Sequence, residues 1–204
     1  MAMTEAFAHL SNVDPRMRQL INQFGELTLP SETVDFHSLA TCILGQQLSG
    51  KAAQSIYRKL AVGLDVNPDT GRLTANHFEP HQIESLRPFG LSRQKSTYIL
   101  DLAERTRNEQ IHFAKFESMP DQAIIDELVQ VKGIGEWTVQ MLLMFSLQRP
   151  DVLPVADLGI QNGFRLLFNL DAKPKPKQMI ELAELWRPYR SYACLYLWKL
   201  KDES

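Results

Sequence analysis

The sequence predicts an all-α fold, and three observations carry that prediction. Apolar residues recur at the i, i+3, i+4, i+7 spacing of a buried helix face in one stretch after another. Ser49, Ser92 and Pro120 stand where such stretches need a helix start. No stretch alternates apolar and polar residues well enough to compete as a strand, and no segment repeats. The 204 residues are 44% hydrophobic and 23% charged, a globular composition that excludes a disordered or fibrous chain. That length suits one domain or two small subdomains.

The first clear face is Phe36, Leu39, Ala40, Ile43 and Leu44. Ser49 caps a second helix carrying Ala52, Ala53, Ile56, Tyr57 and Leu60. Gly63, Pro68, Gly71 and Pro80 make 61–80 a loop with short turns. A short helix over 81–86 stops near Pro88 and Gly90. Ser92 caps the next, with Tyr98, Ile99, Leu102 and Ala103 facing inward. Pro120 opens another at its first turn, with Ile124, Ile125, Leu128 and Val129 apolar. Beyond Gly133 and Gly135 an apolar helix runs to about Leu147, and Pro150 and Pro154 bracket a linker. Helices follow at roughly 157–168, 176–186 and 189–200, giving roughly ten short helices in all.

Composition excludes several functions. No run approaches the roughly 20 apolar residues of a membrane span. The first residues lack the basic and apolar regions of a signal peptide, so the expectation is an intracellular protein. Two cysteines are too few for a disulfide framework or a four-thiolate metal site. Cys42 and Cys194 lie in apolar helical stretches and read as buried free thiols. His9, His37, His77, His81 and His112 lack metal-ligand spacing and read as surface or capping residues. There is no phosphate-binding loop with Lys-Ser/Thr and no Gly-x-Ser-x-Gly.

A net charge of −2 is not that of an obvious nucleic-acid binder. The distribution is uneven. Residues 1–35 hold Arg16 and Arg18 against Glu5, Asp14, Glu26, Glu32 and Asp35. Residues 173–201 hold Lys173, Lys175, Lys177, Arg187, Arg190, Lys199 and Lys201 against Glu181 and Glu184. An overall balance of this kind hides either a basic face or an ordinary solvated surface.

Two constellations stand out. Leu128-Val129-Gln130-Val131-Lys132-Gly133-Ile134-Gly135-Glu136-Trp137-Thr138 is helix, glycine-punctuated turn, helix. Its glycines permit close approach of another backbone, and the N–H groups of a new helix suit one phosphate. On these residues alone a purely structural αα-corner is the competing reading. In Leu153-Pro154-Val155-Ala156-Asp157, the aspartate follows an apolar run and starts a helix, so locally it reads as an N-cap.

Taken together, Leu-x-x-Val-x-Gly-Ile-Gly-x-Trp-Thr and the later apolar-Pro-x-x-Asp resemble the helix-hairpin-helix DNA glycosylase superfamily. Within it the chain resembles the alkylated-base branch, the 3-methyladenine DNA glycosylase II type in its compact yeast-like and bacterial form. Ile43-Leu44-Gly45-Gln46-Gln47-Leu48-Ser49 and Trp186-Arg187-Pro188-Tyr189-Arg190-Ser191-Tyr192-Ala193, with Leu197-Trp198, extend the match over roughly residues 35–200.

The resemblance implies two helical subdomains flanking a cleft. One is formed by the chain ends, 1–34 with 151–204. The other is central, 35–150, and carries the hairpin at about 124–147. It implies Asp157 as the catalytic carboxylate, acting on a nucleotide rotated out of the duplex. Trp137 and Trp198 match base-pocket aromatics, with core packing as the alternative for either. Met141 falls where longer members carry a tyrosine. Gln47 matches the wedge that fills the hole left by the base, where the alternative is a helix terminator, and Ser49 lies beside it toward the minor groove. Gly133, Gly135 and Thr138 would meet a DNA phosphate. The carbonyls of Val129, Val131 and Ile134 would hold a monovalent cation, Na+ or K+, and no other cofactor is implied. The lyase branch places a Schiff-base lysine where this chain has Trp137, while Lys132 precedes the glycines. The expectation is a monofunctional, monomeric hydrolase of alkylated purines in double-stranded DNA, without a membrane partner. A non-catalytic hairpin module and a glycosylase of other base specificity stand as alternatives.

Overall fold

In the computed structural model, which describes residues 2–30 and 33–203, every regular element is a helix or a 3-10 turn. The helices are α1 (Ala2–Val13), α2 (Pro15–Phe24), α3 (Phe36–Gly45), α4 (Gly50–Gly63), α5 (Ile83–Leu86), α6 (Arg93–Arg107), α7 (Asp121–Leu128), α8 (Glu136–Phe145), α9 (Leu158–Leu167), α10 (Pro176–Leu182) and α11 (Arg190–Asp202). The chain divides into two compact units, Met1–Glu32 with Gln140–Ser204, and Thr33–Val139. The sequence reading places the second seam at 150/151, and the structure places it at 139/140, inside α8. The reason is local: residues 148–152 hydrogen-bond to Leu29, Arg190 and Ser191, all in the chain-end unit.

In the chain-end unit, α1 and α2 are elements the sequence reading leaves unassigned. Asp14 caps α2 by accepting the Arg16 N–H at 3.0 Å, and Pro15 occupies the first helical position. Asp14 is wholly buried. It also takes the Arg16 guanidinium and the indole N–H of the buried Trp186, at 2.9 and 3.0 Å. Burial alone would push its carboxyl up, but the Arg16 and Trp186 donors outweigh it and hold the group below its usual 3.8. The stability this supplies is therefore present above that value and is lost as pH falls through the folded one. Asp14→Ala uncaps α2 and strands the Trp186 N–H, and is expected to cost roughly 2–4 kcal/mol in thermal unfolding at neutral pH. An unchanged melting temperature would rule this linkage out.

The motif around Trp186 organises the same unit. Arg190 grips Asp151, with Nε on Oδ1 at 2.6 Å and Nη2 on Oδ2 at 3.0 Å, and Arg187 adds a further bond at 3.0 Å. Ser191 Oγ donates to the Arg149 carbonyl and accepts the Val152 N–H. These bonds tie the strap before α9 to the start of α11. They also revise the basic stretch. Arg187 and Arg190 are spent on Asp151, Lys199 pairs with Glu203, and Lys201 pairs with Asp202. Lys173, Lys175 and Lys177 are exposed as well, and Arg187, Lys199 and Lys201 stay about half exposed despite their partners.

In the central unit, Asp35 and Ser38 form a capping box that starts α3, and Arg72 pairs with the other Asp35 oxygen. The predicted α3 face is buried throughout. Ser92 caps α6 as expected. On α4 only Leu60 and Ala61 are buried, so that helix is more peripheral than its pattern suggests. The loop 61–80 contains a 3-10 turn at Ala75–Phe78, and the predicted 81–86 helix is the single turn α5. The predicted 176–186 helix breaks into α10 and a 3-10 turn, Glu184–Trp186.

Cys194 is buried as expected, but Cys42 is exposed. Position 42 lies on the side of α3 opposite the stripe formed by Phe36, Leu39, Ala40, Ile43 and Leu44. The histidines serve local structure. His37 Nδ1 accepts the Leu73 N–H, His77 Nδ1 accepts the Thr74 N–H, and His112 meets Glu127.

Candidate functional site

The hairpin is α7, the turn 129–135 and the start of α8. Val131 and Ile134 bury their side chains and close the turn with an Ile134 N–H to Val131 carbonyl bond of 3.1 Å. The two glycines have different reasons. Gly133 has φ +82°, and a Cβ there would fall inside the Tyr98 ring. Tyr98, predicted to face inward, is half-buried and forms the bed of the turn; Gln94 donates to its hydroxyl at 2.6 Å. Gly135 has no such constraint, since a Cβ there would meet nothing within 4 Å. The protein itself does not demand that glycine, which leaves room for something from outside. The positive end of the α8 dipole lies at this turn.

Asp101, which sequence reasoning missed, anchors the turn from α6. Its Oδ2 accepts the Lys132 N–H at 2.9 Å, and Arg105 and the Lys132 ammonium pair with it. Burial raises this carboxyl, but the hydrogen bonds from Lys132 and Arg105 prevail and keep it below the usual carboxylate value. Asp101 and Lys132 are 31 residues apart, so no local pattern announces the bond.

The loop after α3 is tied to the same turn. Gln46 Nε2 donates to the Gly133 carbonyl at 2.8 Å, and Lys95 Nζ donates to the Leu44 carbonyl at 2.6 Å. Burial lowers the Lys95 pKa. Directly after these anchors, and before Ser49, Gln47 is exposed and takes a left-handed conformation, φ +57°. That conformation is uncommon for a residue other than glycine and persists only where surroundings hold it. Ser49 caps α4 through the Ala52 N–H at 3.4 Å. Gln47 thus projects from a loop braced on both sides. If Gln47 is the wedge that the resemblance implies, Gln47→Ala weakens binding to a lesion duplex severalfold more than to single-stranded DNA, since only the duplex leaves a hole to fill. Equal losses on both would remove the wedge role.

In the chain-end unit Asp157 is the N-cap of α9, and its Oδ1 accepts the Ile160 N–H at 2.8 Å. The indole N–H of Trp198, from α11, reaches the same oxygen at 2.9 Å. The turn leading in is closed by Asp157 N–H to the Pro154 carbonyl, and Gln161 holds the Val155 carbonyl. The capping reading of this aspartate is therefore correct, and it places a carboxylate at a helix N-terminus, where negative charge is favoured.

Trp137, on α8, is 47% exposed, which rules out core packing as its role. Met141 follows it by one turn and is half-buried. Trp198 is half-buried against Phe145, ring centroids 5.6 Å apart. Thr138 is half-buried, and Gly133 and Gly135 are exposed. The Val129 side chain is exposed, and its predicted helix ends one residue earlier, at Leu128. The carbonyl of Val131 accepts one hydrogen bond and has a second lone pair, as a cation site built from main-chain oxygens requires. Among the described residues no cluster of His, Cys, Asp or Glu could hold a metal.

Comparison with known proteins follows this geometry. Residues 40–188 match the family model described as "HhH-GPD superfamily base excision DNA repair protein". The chain is 32% identical over 203 residues to DNA-3-methyladenine glycosylase 1 of Schizosaccharomyces pombe, covering 97% of this chain and 87% of that one. Its fold superposes on the crystal structure of a DNA-3-methyladenine glycosidase from Bacillus halodurans with a TM-score of 0.85 at 34% identity, covering 96% and 88% of the two chains. It also superposes on the S. pombe 3-methyladenine DNA glycosylase in complex with abasic DNA, with a TM-score of 0.78 at 32% identity, covering 96% and 95%.

Proposed function

Because this chain belongs to the HhH-GPD superfamily of base excision DNA repair proteins, we propose that it is a monofunctional DNA glycosylase that removes alkylated purines of the 3-methyladenine and 7-methylguanine type. The observation that carries the proposal is the Asp157 carboxylate, fixed at the start of α9 by two N–H donors.

A glycosidic bond is unreachable inside the base stack, so the target nucleotide must leave it. Gln47 would then fill the space, and Gly133, Gly135 and Thr138 would hold the adjacent phosphate through main-chain N–H groups. The carbonyls of Val129, Val131 and Ile134 would hold a Na+ or K+ ion that ties the turn to that phosphate.

An alkylated purine carries positive charge, so it leaves readily when the bond electrons return to its ring. The C1′–N bond breaks, positive charge develops on the deoxyribose, and the anionic Asp157 stabilises it. Water adds to C1′ and gives up a proton, which the same carboxylate can orient or accept. The products are the free base and an abasic site. Trp137, Met141 and Trp198 are the base-contacting residues of this reading, the aromatic faces suiting a cationic ring. With Trp137 where a lyase needs lysine, no covalent enzyme–DNA adduct forms.

Competition among duplexes carrying single defined lesions tests this specificity. Preferential release of 3-methyladenine and 7-methylguanine supports it. Preference for uracil or an oxidised guanine would contradict it, as would a borohydride-trapped adduct.

A further inference from the structure

Helices α9 and α11 touch through two glycines one turn apart. A Cβ on Gly163 would stand 2.6 Å from both the Cβ and the carbonyl oxygen of Leu197. A Cβ on Gly159 would stand 2.7 Å from Cδ1 and 2.9 Å from Nε1 of Trp198, and 3.0 Å from Asp157 Oδ1. All of these are closer than side-chain carbons pack. The glycine at 159 is therefore the gap through which the indole reaches the carboxylate, and the one at 163 sets the helices close enough for it to do so.

The indole N–H then meets Asp157 Oδ1 at 2.9 Å, on the oxygen that already accepts the Ile160 N–H at 2.8 Å. Two donors on one oxygen, from a helix terminus and from a second helix, fix the plane of the group and the direction of Oδ2. A ring that served only as a stacking surface would need neither the aligned N–H nor the glycine beside it.

We propose that Trp198 is a positioning residue, which holds the Asp157 carboxylate in its working orientation through the indole N–H, and that Gly159 is the residue that admits it. The inference rests on Asp157 being the catalytic carboxylate.

The test removes the N–H and little else. In Trp198→3-benzothienylalanine, sulfur replaces N–H while the bicyclic shape and both faces remain. The single-turnover rate of base release is expected to fall on the order of tenfold to a hundredfold, the cost of a misplacement near 1 Å. Affinity for a lesion duplex and the melting temperature stay unchanged. A role in stacking or packing would predict the reverse: the isostere would release base at the wild-type rate, and that result overturns the inference. A second variant tests the coupling between the two residues. Gly159→Ala displaces the indole, so combining it with the isostere adds little to either loss, since both break one bond. Fully multiplying losses would overturn the coupling. Asp157→Asn separates this inference from its premise: an inactive Asp157→Asn beside an active isostere overturns the positioning role alone, whereas an active Asp157→Asn overturns the premise and the role together.

Discussion

Asp157→Asn is expected to lose about a hundredfold to a thousandfold of the base-release rate while melting at the wild-type temperature. The two halves of that expectation come from one geometry. Asparagine is as good an N-cap as aspartate. Its carboxamide oxygen can accept both the Ile160 N–H and the Trp198 indole N–H that Oδ1 accepts. The fold keeps its cap and the bond between helices, while the negative charge is lost and the second oxygen becomes an N–H donor. Where positive charge builds on a sugar, a neutral amide cannot replace a carboxylate. A coincident fall in melting temperature and rate would assign Asp157 a structural role only.

The second large effect separates the hairpin glycines. Gly133→Asp is expected to lose on the order of tenfold or more in affinity for any duplex, lesion or not, since it brings negative charge to a phosphate site. It also destabilises the turn, because φ is +82° and a side chain there would enter the Tyr98 ring. The left-handed conformation alone costs about 1–2 kcal/mol, and displacing Tyr98 adds to it. Gly135→Ala isolates the binding effect. Its Cβ meets nothing within 4 Å, so the melting temperature should hold while duplex affinity falls. Unchanged affinity in Gly135→Ala, measured by fluorescence anisotropy, would mean that no phosphate approaches this turn.

What the sequence discloses and what it hides differ by the range of the interaction. The face of α3, the caps at Ser49 and Ser92, and the glycine turn are written within a few residues, so spacing alone places them. The same arithmetic, carried through, puts Cys42 on the far side of that helix, and Asp14-Pro15 carries the start signal of α2. The bracing of the candidate site is not written locally. Gln46 finds the Gly133 carbonyl across 87 residues, Trp198 finds Asp157 across 41, and Trp186 finds Asp14 across 172. No periodicity signals such pairs. The basic stretch near the C-terminus misleads for the same reason, because its arginines serve Asp151, which precedes them by a long segment of chain.

The charge balance then has a different meaning. A net charge of −2 is compatible with DNA as partner when the phosphate is met by main-chain N–H groups, which carry no formal charge.

The most direct measurement of the central claim is chromatography of the bases released from methylated duplex DNA, paired with a gel of the same strand before and after alkali. The account predicts free 3-methyladenine and 7-methylguanine, and a strand that breaks only when alkali is added. A duplex that is bound but yields no free base, or a strand cut without alkali, would contradict it.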